Sequence, residues 1–539
     1  MKRHWAFAAL LAFALPLFLA FSWQSGLASL SDDSASYLLL AQGIAGINPA
    51  ASAWVGYHSR FPPVFPMVLA LTGAASDLRW AHAIVAAFAG LALVLIYRFA
   101  LRETGRRDAA FLLVLAFLLC PTAWVSAKGI LSEPMYLFAS LACLAYFQDR
   151  FGECRPSDVN WLLLGLLLAI TVLTRVVGAA LVAALLLHVG TRSLATRTRP
   201  AARGLALAVL PSTVLVALWL ALRPVAAEDT YHRVSTAMLG AWFTDPGRMA
   251  AISAASVFDG WVASFTADAG VGLAARVATA AIGLLGLAGL ALRLRENRLD
   301  AWYVAVSLAI AFGWVFSEDN TRRLIYPLLP LLLLYAAQAV VWAMVRVGQA
   351  DQASRAIGVA AAVMGIACVP ASLLVFSKAL DRAPVLVGFA PRYADITEYY
   401  TTLNLERSRA LAAKHAAVLA GFEALGRATP AGARVMWMRP EYVALLGGRE
   451  GVAWFYDWDA VRLAREVRDS RVDYLVVARL FKTDLEGRSG DPFETLRDVS
   501  AYARPVLALP NAVVGGDEFV LMQVDRVALD AALARAQRP

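Results

Sequence analysis

Charged residues and cysteines are both scarce in this chain of 539 residues. Only 17% of the residues are charged, whereas soluble globular proteins average about 25%. The four cysteines, Cys120, Cys143, Cys154 and Cys368, form neither a Cys-x-x-Cys pair nor a Cys/His zinc pattern, and no GxGxxG or P-loop motif is present. These deficits exclude a disulfide scaffold, a disordered protein and an ordinary cytosolic enzyme, and they predict no nucleotide site.

Long apolar segments fill the first 377 residues. Hydrophobic residues make up 60% of the chain, and a transmembrane helix needs about 20 mostly apolar residues. About eleven segments are predicted to span a membrane: 5–22, 80–101, 109–126, 130–147, 161–174, 176–190, 204–223, 271–292, 301–317, 324–345 and 356–377. Arg175 separates two of them, because an arginine at mid-membrane costs at least about 2.5 kcal/mol. The predicted fold class is therefore a polytopic α-helical membrane protein.

Basic residues indicate the orientation of these spans. Residues 1–377 carry 27 Lys/Arg and 19 Asp/Glu, whereas the remaining residues are nearly balanced. With a cytoplasmic N-terminus, 17 of the 27 fall on the cytoplasmic side, as the positive-inside rule requires. The predicted location is a bacterial inner (plasma) membrane, with loops at 23–79 and 224–270 and a tail at 378–539 outside the cytoplasm. The net charge of +9 thus orients the membrane part and does not indicate a nucleic-acid partner.

Two apolar segments have competing interpretations. The first span, preceded by Lys2 and Arg3, also fits a signal peptide, but its length and the lack of a strong A-x-A site favour an uncleaved anchor. The segment 62–76 is predicted to lie along the outer membrane surface, because counting it as a twelfth span breaks the charge alternation.

The tail at 378–539 is long enough for a core of its own and is predicted to be a soluble α/β domain. Residues 474–477, Tyr-Leu-Val-Val, form a continuous apolar strand of the buried type. Further strands are predicted at 434–438, near 505–509 and at 518–524, with helices at 457–470 and 492–502.

Two adjacent carboxylates, Asp32 and Asp33, lie in the first outer loop, about ten residues beyond the first span. One interpretation is structural: Ser31 or Asp32 caps the apolar surface helix that follows, since acidic residues suit a helix N-terminus. The functional interpretation is a general base held at the membrane surface. The sequence leaves both interpretations open.

Other polar residues lie on the same outer face. The first loop continues with His58 and Arg60 before Pro62-Pro63, which opens a surface helix. Charged residues at the outer ends of other spans are Lys128, Glu133, Arg175, Glu318, Asp319, Arg322 and Arg323. Their structural interpretation is interfacial snorkelling. Their functional interpretation is a site for a lipid-borne anion, in which cations bind phosphate and a carboxylate removes a proton.

The order of these elements resembles the GT-C superfamily of integral-membrane glycosyltransferases, in particular the dolichyl-phosphate-mannose protein mannosyltransferases and the bacterial lipid A aminoarabinose transferases. Each motif is loose, and their order carries the resemblance. The matching motifs are Asp32-Asp33, Arg60-Phe61-Pro62-Pro63, Glu133 in Leu-Ser-Glu-Pro, Leu173-Thr174-Arg175 and Arg322-Arg323-Leu-Ile-Tyr326-Pro. Asp33 replaces a common Glu and the Arg322-Arg323 pair replaces a more usual Arg-Tyr, so which arginine faces the ligand stays open.

The resemblance implies transfer of a sugar from a polyprenyl phosphate to a hydroxyl of a protein, lipid or glycan, with inversion, on the extracytoplasmic face. It also implies that Asp32, together with Asp33, removes the acceptor proton. The implied phosphate-binding residues are Arg322, Arg323, Arg175 and Lys128. The implied supporting residues are Glu133, Arg60, His58, Glu318 and Tyr326.

No cofactor is expected. Asp32, Asp33, Glu133 and Glu318 offer candidate ligands for a divalent metal ion, but the resemblance is to metal-independent enzymes. Three other functions fit part of the sequence. A polysaccharide or lipid transporter would show repeats and mid-membrane charges, a glycan ligase of the envelope would use a diphosphate donor, and a membrane-anchored binding protein would act through its tail.

The topology predicts the behaviour of reporter fusions. Alkaline phosphatase fused after residue 450 should be active and green fluorescent protein fused there should be dark, because the tail is placed outside the cytoplasm. Fusions after residue 200, in a predicted cytoplasmic turn, should show the reverse pattern. Fluorescence from the fusion at residue 450 would overturn the topology. It would also overturn the expected polyprenyl-phosphate donor, because that expectation places transfer on the extracytoplasmic face.

Overall fold

The computed structural model describes most of the chain, and helices dominate its first part. The described residues are 4–24, 27–51, 61–151, 156–196, 202–222, 230–267, 270–314, 318–349, 352, 356–357, 364–365, 368–375, 393–394, 405–454, 458–478, 497–510 and 517–536. Up to residue 349 the α-helices are Trp5–Ser22, Asp32–Ala45, Val64–Leu71, Leu78–Thr104, Arg107–Leu119, Pro121–Val125, Glu133–Phe151, Asp158–Thr174, Ala179–Thr196, Ala202–Leu222, Thr230–Thr244, Pro246–Thr266, Leu273–Arg295, Leu299–Gly313, Glu318–Ile325 and Leu329–Arg346.

Many of these helices are apolar enough for a membrane. Those long enough to cross it, among the described residues, are Leu78–Thr104, Val176–Ala195, Ala202–Leu222, Leu273–Arg295 and Leu329–Arg346. Shorter apolar helices are Trp5–Ala20, Asp158–Thr174 and Leu299–Gly313. The predicted spans up to residue 345 are mainly helical, although 109–126 is divided at Cys120 and 324–345 is divided between Ile325 and Leu329. The described residues 368–375 of the last predicted span are helical. The chain is therefore a polytopic helical membrane protein, as predicted.

The predicted break at Arg175 is confirmed. The helix Asp158–Thr174 ends because Arg175 has an extended backbone, with φ −149° and ψ 133°, and the 3-10 turn Val176–Gly178 follows. A Cβ on Gly178 would lie 2.7 Å from the carbonyl oxygen of Thr171, so the chain turns this tightly only with glycine. The break places Arg175 at the junction of two helices instead of inside one.

The segment 62–76 does not span. Its helix, Val64–Leu71, has eight residues, about 12 Å of length, against the roughly 30 Å of a hydrocarbon core. Phe65 and Leu69 are buried, so the helix lies packed on the protein, consistent with a surface position.

Close backbone contact joins two of the spanning helices. A Cβ on Gly289, in Leu273–Arg295, would lie 2.1 Å from the carbonyl oxygen of Tyr335, in Leu329–Arg346. Small residues permit such contacts between membrane helices, where van der Waals packing replaces the hydrophobic driving force. This helix crossing therefore depends on glycine at position 289, which has no side chain.

A buried ionic network lies beside the same crossing. Arg293 donates to Glu103 and to Asp300 at 2.8 Å each, and the Tyr335 hydroxyl donates to Asp300 at 2.6 Å. A buried charge is strongly destabilising when one partner is removed. The network therefore fixes the helices Leu78–Thr104, Leu273–Arg295, Leu299–Gly313 and Leu329–Arg346 at one end of the bundle.

The other end of the bundle carries the C-terminal domain. Strand β1 (Trp23–Gln24) pairs antiparallel with β2 (Leu27–Ser29), and β2 pairs parallel with β3 (Tyr393–Ala394). The Tyr442 hydroxyl donates to the Leu30 carbonyl at 3.4 Å. Residues of the first loop and of the C-terminal domain share one hydrophobic cluster. We call this end of the bundle the domain face.

The C-terminal domain contains a mixed five-stranded sheet. Its strands are β4 (Arg434–Trp437), β5 (Glu450–Ala453), β6 (Tyr474–Ala478), β7 (Ala503–Pro510) and β8 (Asp517–Val524), in the order β5-β4-β6-β8-β7. β5, β4 and β6 run parallel, and β8 pairs antiparallel with β6 and β7. Its helices are Leu405–Ala428, Pro440–Leu446, Ala460–Asp469 and Arg526–Ala536. The predicted α/β class is confirmed, and β5 is an addition.

One sequence prediction for this region is tested in part, and another is not tested. Residues 497–500 of the predicted helix 492–502 are helical, and its first residues lie outside the described part of the chain. The predicted domain boundary between 377 and 378 also lies outside the described residues and stays a prediction.

The crossing at Gly289 generates a stability prediction. Gly289→Ala should lower the melting temperature of the solubilised protein by several degrees, because the new Cβ meets the Tyr335 backbone at 2.1 Å. Gly190→Ala is the matched control, since a Cβ on this helical glycine meets nothing within 4 Å. Equal melting temperatures for both variants, measured by fluorescence-detected size exclusion after heating, would contradict the tight crossing.

Candidate functional site

The site begins at the N-terminus of the helix Asp32–Ala45. Ser31 is its N-cap, and the Ser31 side chain accepts a hydrogen bond from the Ser34 amide at 3.2 Å. The Ser34 hydroxyl also accepts from the Ile130 amide at 3.1 Å, which ties this helix to the segment before Glu133. The capping interpretation is thus confirmed for Ser31. Asp32 is the first residue of the helix, and its side chain lies outside the described residues.

Glu133 is the centre of the site. It is the first residue of the helix Glu133–Phe151, and only 1% of its side chain is exposed. Its Oε1 lies 2.8 Å from Arg175 Nη1 in an ion pair and accepts a hydrogen bond from Arg323 Nε. Glu133 thus orients two cations from distant parts of the chain.

Arg323 connects Glu133 to the first loop. Its Nη2 lies 2.6 Å from Asp33 Oδ2. The four charged residues come from four segments: Asp33 from the loop helix, Glu133 from the start of a span, Arg175 from a helix break and Arg323 from the helix Glu318–Ile325. Two carboxylates and two guanidiniums balance, which makes the burial of their charges possible.

The residues of the cluster differ in exposure. We call the buried Glu133 its floor, and the partly exposed Asp33, Arg175 and Arg323 its rim. Glu133 is enclosed, whereas 18% of the Arg175 side chain, 22% of Asp33 and 25% of Arg323 are exposed. Asp33, Arg175 and Arg323 are therefore accessible to a ligand, whereas Glu133 is not. Arginine suits phosphate because its planar fork donates to two oxygens at once.

Two residues of the site were missed by the sequence analysis. The Tyr37 hydroxyl lies 2.7 Å from Ser132 Oγ, which also accepts from Arg175 Nη1 at 3.3 Å. Burial raises the pKa of the Tyr37 phenol above its ordinary value, and the Arg175 charge acts against this rise. Tyr37 is therefore a neutral hydrogen-bonding group. The spacing offered a signal, since Tyr37 stands four residues after Asp33 on one helix face.

The other predicted residues that the structure describes, Arg322, Lys128 and Tyr326, are buried. Arg322 is 3% exposed and donates to the Ala267 carbonyl at 3.1 Å. Lys128 is buried in the turn between Val125 and Glu133. Tyr326 is buried and packs near Phe117, with ring centroids 5.8 Å apart.

Some predicted residues are not tested. His58 and Arg60 lie outside the described residues, as does the side chain of Glu318. Within the described part of the chain no group of three or more His, Cys, Asp or Glu side chains is placed to hold a metal ion.

The fold described above is shared with a solved membrane transferase. The chain is similar in structure to the lipid A aminoarabinose transferase ArnT from Cupriavidus metallidurans. For ArnT bound to undecaprenyl phosphate, the identity is 14%, the match covers 96% of this chain and 98% of that chain, and the TM-score is 0.53. For ArnT in the apo state, the identity is 15%, the coverage is 96% and 97%, and the TM-score is 0.53.

A solved structure of lower similarity is the oligosaccharyltransferase AglB from Archaeoglobus fulgidus in complex with an inhibitory peptide and a dolichol-phosphate. Its identity is 12%, the match covers 96% of this chain and 74% of that chain, and the TM-score is 0.48. No protein-family model and no curated protein matches the chain.

The charged cluster predicts that replacing Glu133 lowers the stability of the protein. Glu133→Gln should destabilise the protein by about 3–5 kcal/mol, because Arg175 and Arg323 would share a partly buried site without their common counter-ion. Asp108→Asn is the control, since it breaks an exposed pair with Arg106 and should leave thermal stability nearly unchanged. Similar thermal stability for the two variants would contradict the anchoring role of Glu133.

Proposed function

We propose that this chain is a glycosyltransferase that moves a sugar from a polyprenyl-phosphate donor to an acceptor hydroxyl at the domain face, with inversion. The observation that carries the proposal is the placement of Arg175 and Arg323, both held by Glu133, beside the helix that begins with Asp32 and Asp33. Support comes from the GT-C fold shared with ArnT, whose structure was solved with undecaprenyl phosphate.

The arginines supply the phosphate site in this proposal. Arg323 and Arg175 are the primary ligands, because both are partly exposed on the rim. A guanidinium has five N–H donors, so each can keep its bond to Glu133 and still donate to a phosphate oxygen. Lys128 and Arg322 are buried and act as a second layer of positive charge.

The acid pair supplies the base. A carboxylate of the Asp32-Asp33 pair accepts the proton of the acceptor hydroxyl as its oxygen attacks the anomeric carbon. The bond between that carbon and the phosphate oxygen breaks, and its electron pair leaves with the phosphate. The departing phosphate is a stable anion, so protonation by an acid is not required, and the arginines stabilise its growing charge.

The location of the site makes the chemistry possible. Donor and acceptor meet at one end of the bundle, where Arg175 lies at a helix break and Asp33 in the first turn of a loop helix. Holding both reactants on fixed elements lowers the entropic barrier to their reaction. The C-terminal domain packs on the same loop, which keeps the acid pair in place above the membrane.

The base assignment predicts the result of a transfer assay. Asp32→Asn should lower transfer from a labelled polyprenyl-phosphate sugar at least about 100-fold in proteoliposomes, because general-base help is worth about 10²–10⁴-fold. Asp158→Asn, which breaks an exposed pair with Arg203 at the start of another helix, should transfer normally. Wild-type rates in the single and double Asp32 and Asp33 variants would refute the assignment.

A further inference from the structure

Arg323 binds two carboxylates that differ in accessibility. Glu133, bonded to Nε, is 1% exposed, and it also anchors Arg175. Asp33, 2.6 Å from Nη2, is 22% exposed and belongs to the first turn of a loop helix. The buried Glu133 therefore holds Nε of the guanidinium, and the partly exposed Asp33 holds Nη2.

We propose that Asp33 occupies the position on Arg323 that the phosphate of the donor takes, so that donor binding exchanges one oxyanion for another. This inference rests on the proposed function, and it divides the acid pair: Asp33 is the counter-ion that the donor displaces, and Asp32 is the base. The exchange brings the donor and the acid pair into one ordered sequence of binding.

The charges of the cluster favour an exchange over simple addition. The cluster of Asp33, Glu133, Arg175 and Arg323 is neutral as it stands, so an added phosphate finds no uncompensated cation among these four. Releasing Asp33 to water leaves a net positive charge that the phosphate neutralises. The loss of one partly exposed ion pair is a small cost, whereas breaking the buried Glu133 contact is a large one.

The geometry also favours Asp33 as the partner that leaves. The helix Asp32–Ala45 is capped by Ser31 and not by Asp33, so the helix start survives when the Asp33 side chain turns away. Arg323 stays in place because Glu133 continues to hold Nε. The freed carboxylate then belongs to the residue next to Asp32 in the chain.

The exchange predicts an unusual effect of removing a charge. Asp33→Asn should bind undecaprenyl phosphate about three- to tenfold more tightly than the wild type, because the phosphate no longer competes for Arg323. Binding is measured with labelled undecaprenyl phosphate on the full chain in nanodiscs. Asp33→Glu, which keeps the charge, should bind within about twofold of the wild type.

Four further variants isolate the cause. Arg323→Gln should weaken binding at least about tenfold, and adding Asp33→Asn to it should give no gain. Asp32→Asn should bind as the wild type does while losing transfer. Asp149→Asn is the matched control. Asp149 is also about a quarter exposed and pairs with two arginines, Arg98 and Arg102. It lies near the C-terminus of the helix Glu133–Phe151, at the opposite end from Glu133.

The outcomes separate this inference from the proposed function. Equal or weaker binding by a folded Asp33→Asn protein, or a gain that persists without Arg323, overturns the exchange even when the wild type transfers sugar. A gain in Asp33→Asn that depends on Arg323 supports the exchange even when none of the sugar donors tested reacts. Absence of undecaprenyl phosphate binding in the wild type and in Asp33→Asn overturns both.

Discussion

The buried carboxylate of Glu133 is the constraint around which the site is organised. A carboxylate with 1% of its side chain exposed is stable only when cations and hydrogen bonds replace its water. Arg175 and Arg323 meet this need, and each must reach Glu133 from its own segment. The helix break at Arg175 and the short helix that carries Arg323 are therefore parts of one electrostatic solution. Asp33 completes it by balancing the second arginine.

The membrane explains why this solution lies at the end of the bundle. Charges placed at mid-span are expensive in hydrocarbon, so helices of the bundle stop where their charged residues begin, as at Arg175 and Glu133. The network of Glu103, Arg293 and Asp300 follows the same rule at the opposite end. Between the two networks the helices pack through apolar and small side chains. The bundle is thus fixed at both ends, and the domain face presents the partly exposed Arg175 and Arg323 beside Asp33 of the first loop.

Sequence reasoning reached the spans, the break at Arg175 and the shared face of Asp33, Glu133, Arg175 and Arg323, because each follows from local pattern and topology. It did not distinguish Arg322 from Arg323. Successive helical residues point about 100° apart, and only the packing of their helix shows that Arg322 reaches Ala267 while Arg323 reaches the cluster. The contact between the C-terminal domain and the first loop was equally inaccessible, since it joins residues about 400 positions apart.

That long-range contact changes how the first loop is understood. The helix Asp32–Ala45 lies between two bodies: its first turn contacts the charged cluster through Asp33, and its later residues pack with the C-terminal domain. Asn48, just beyond it, donates to Gln42 at 2.8 Å and to the Ala444 carbonyl at 3.3 Å. A helix of this length would be marginal alone in water, so tertiary packing supplies its stability. Packing against the C-terminal domain therefore stabilises the helix that holds Asp33 beside Arg323.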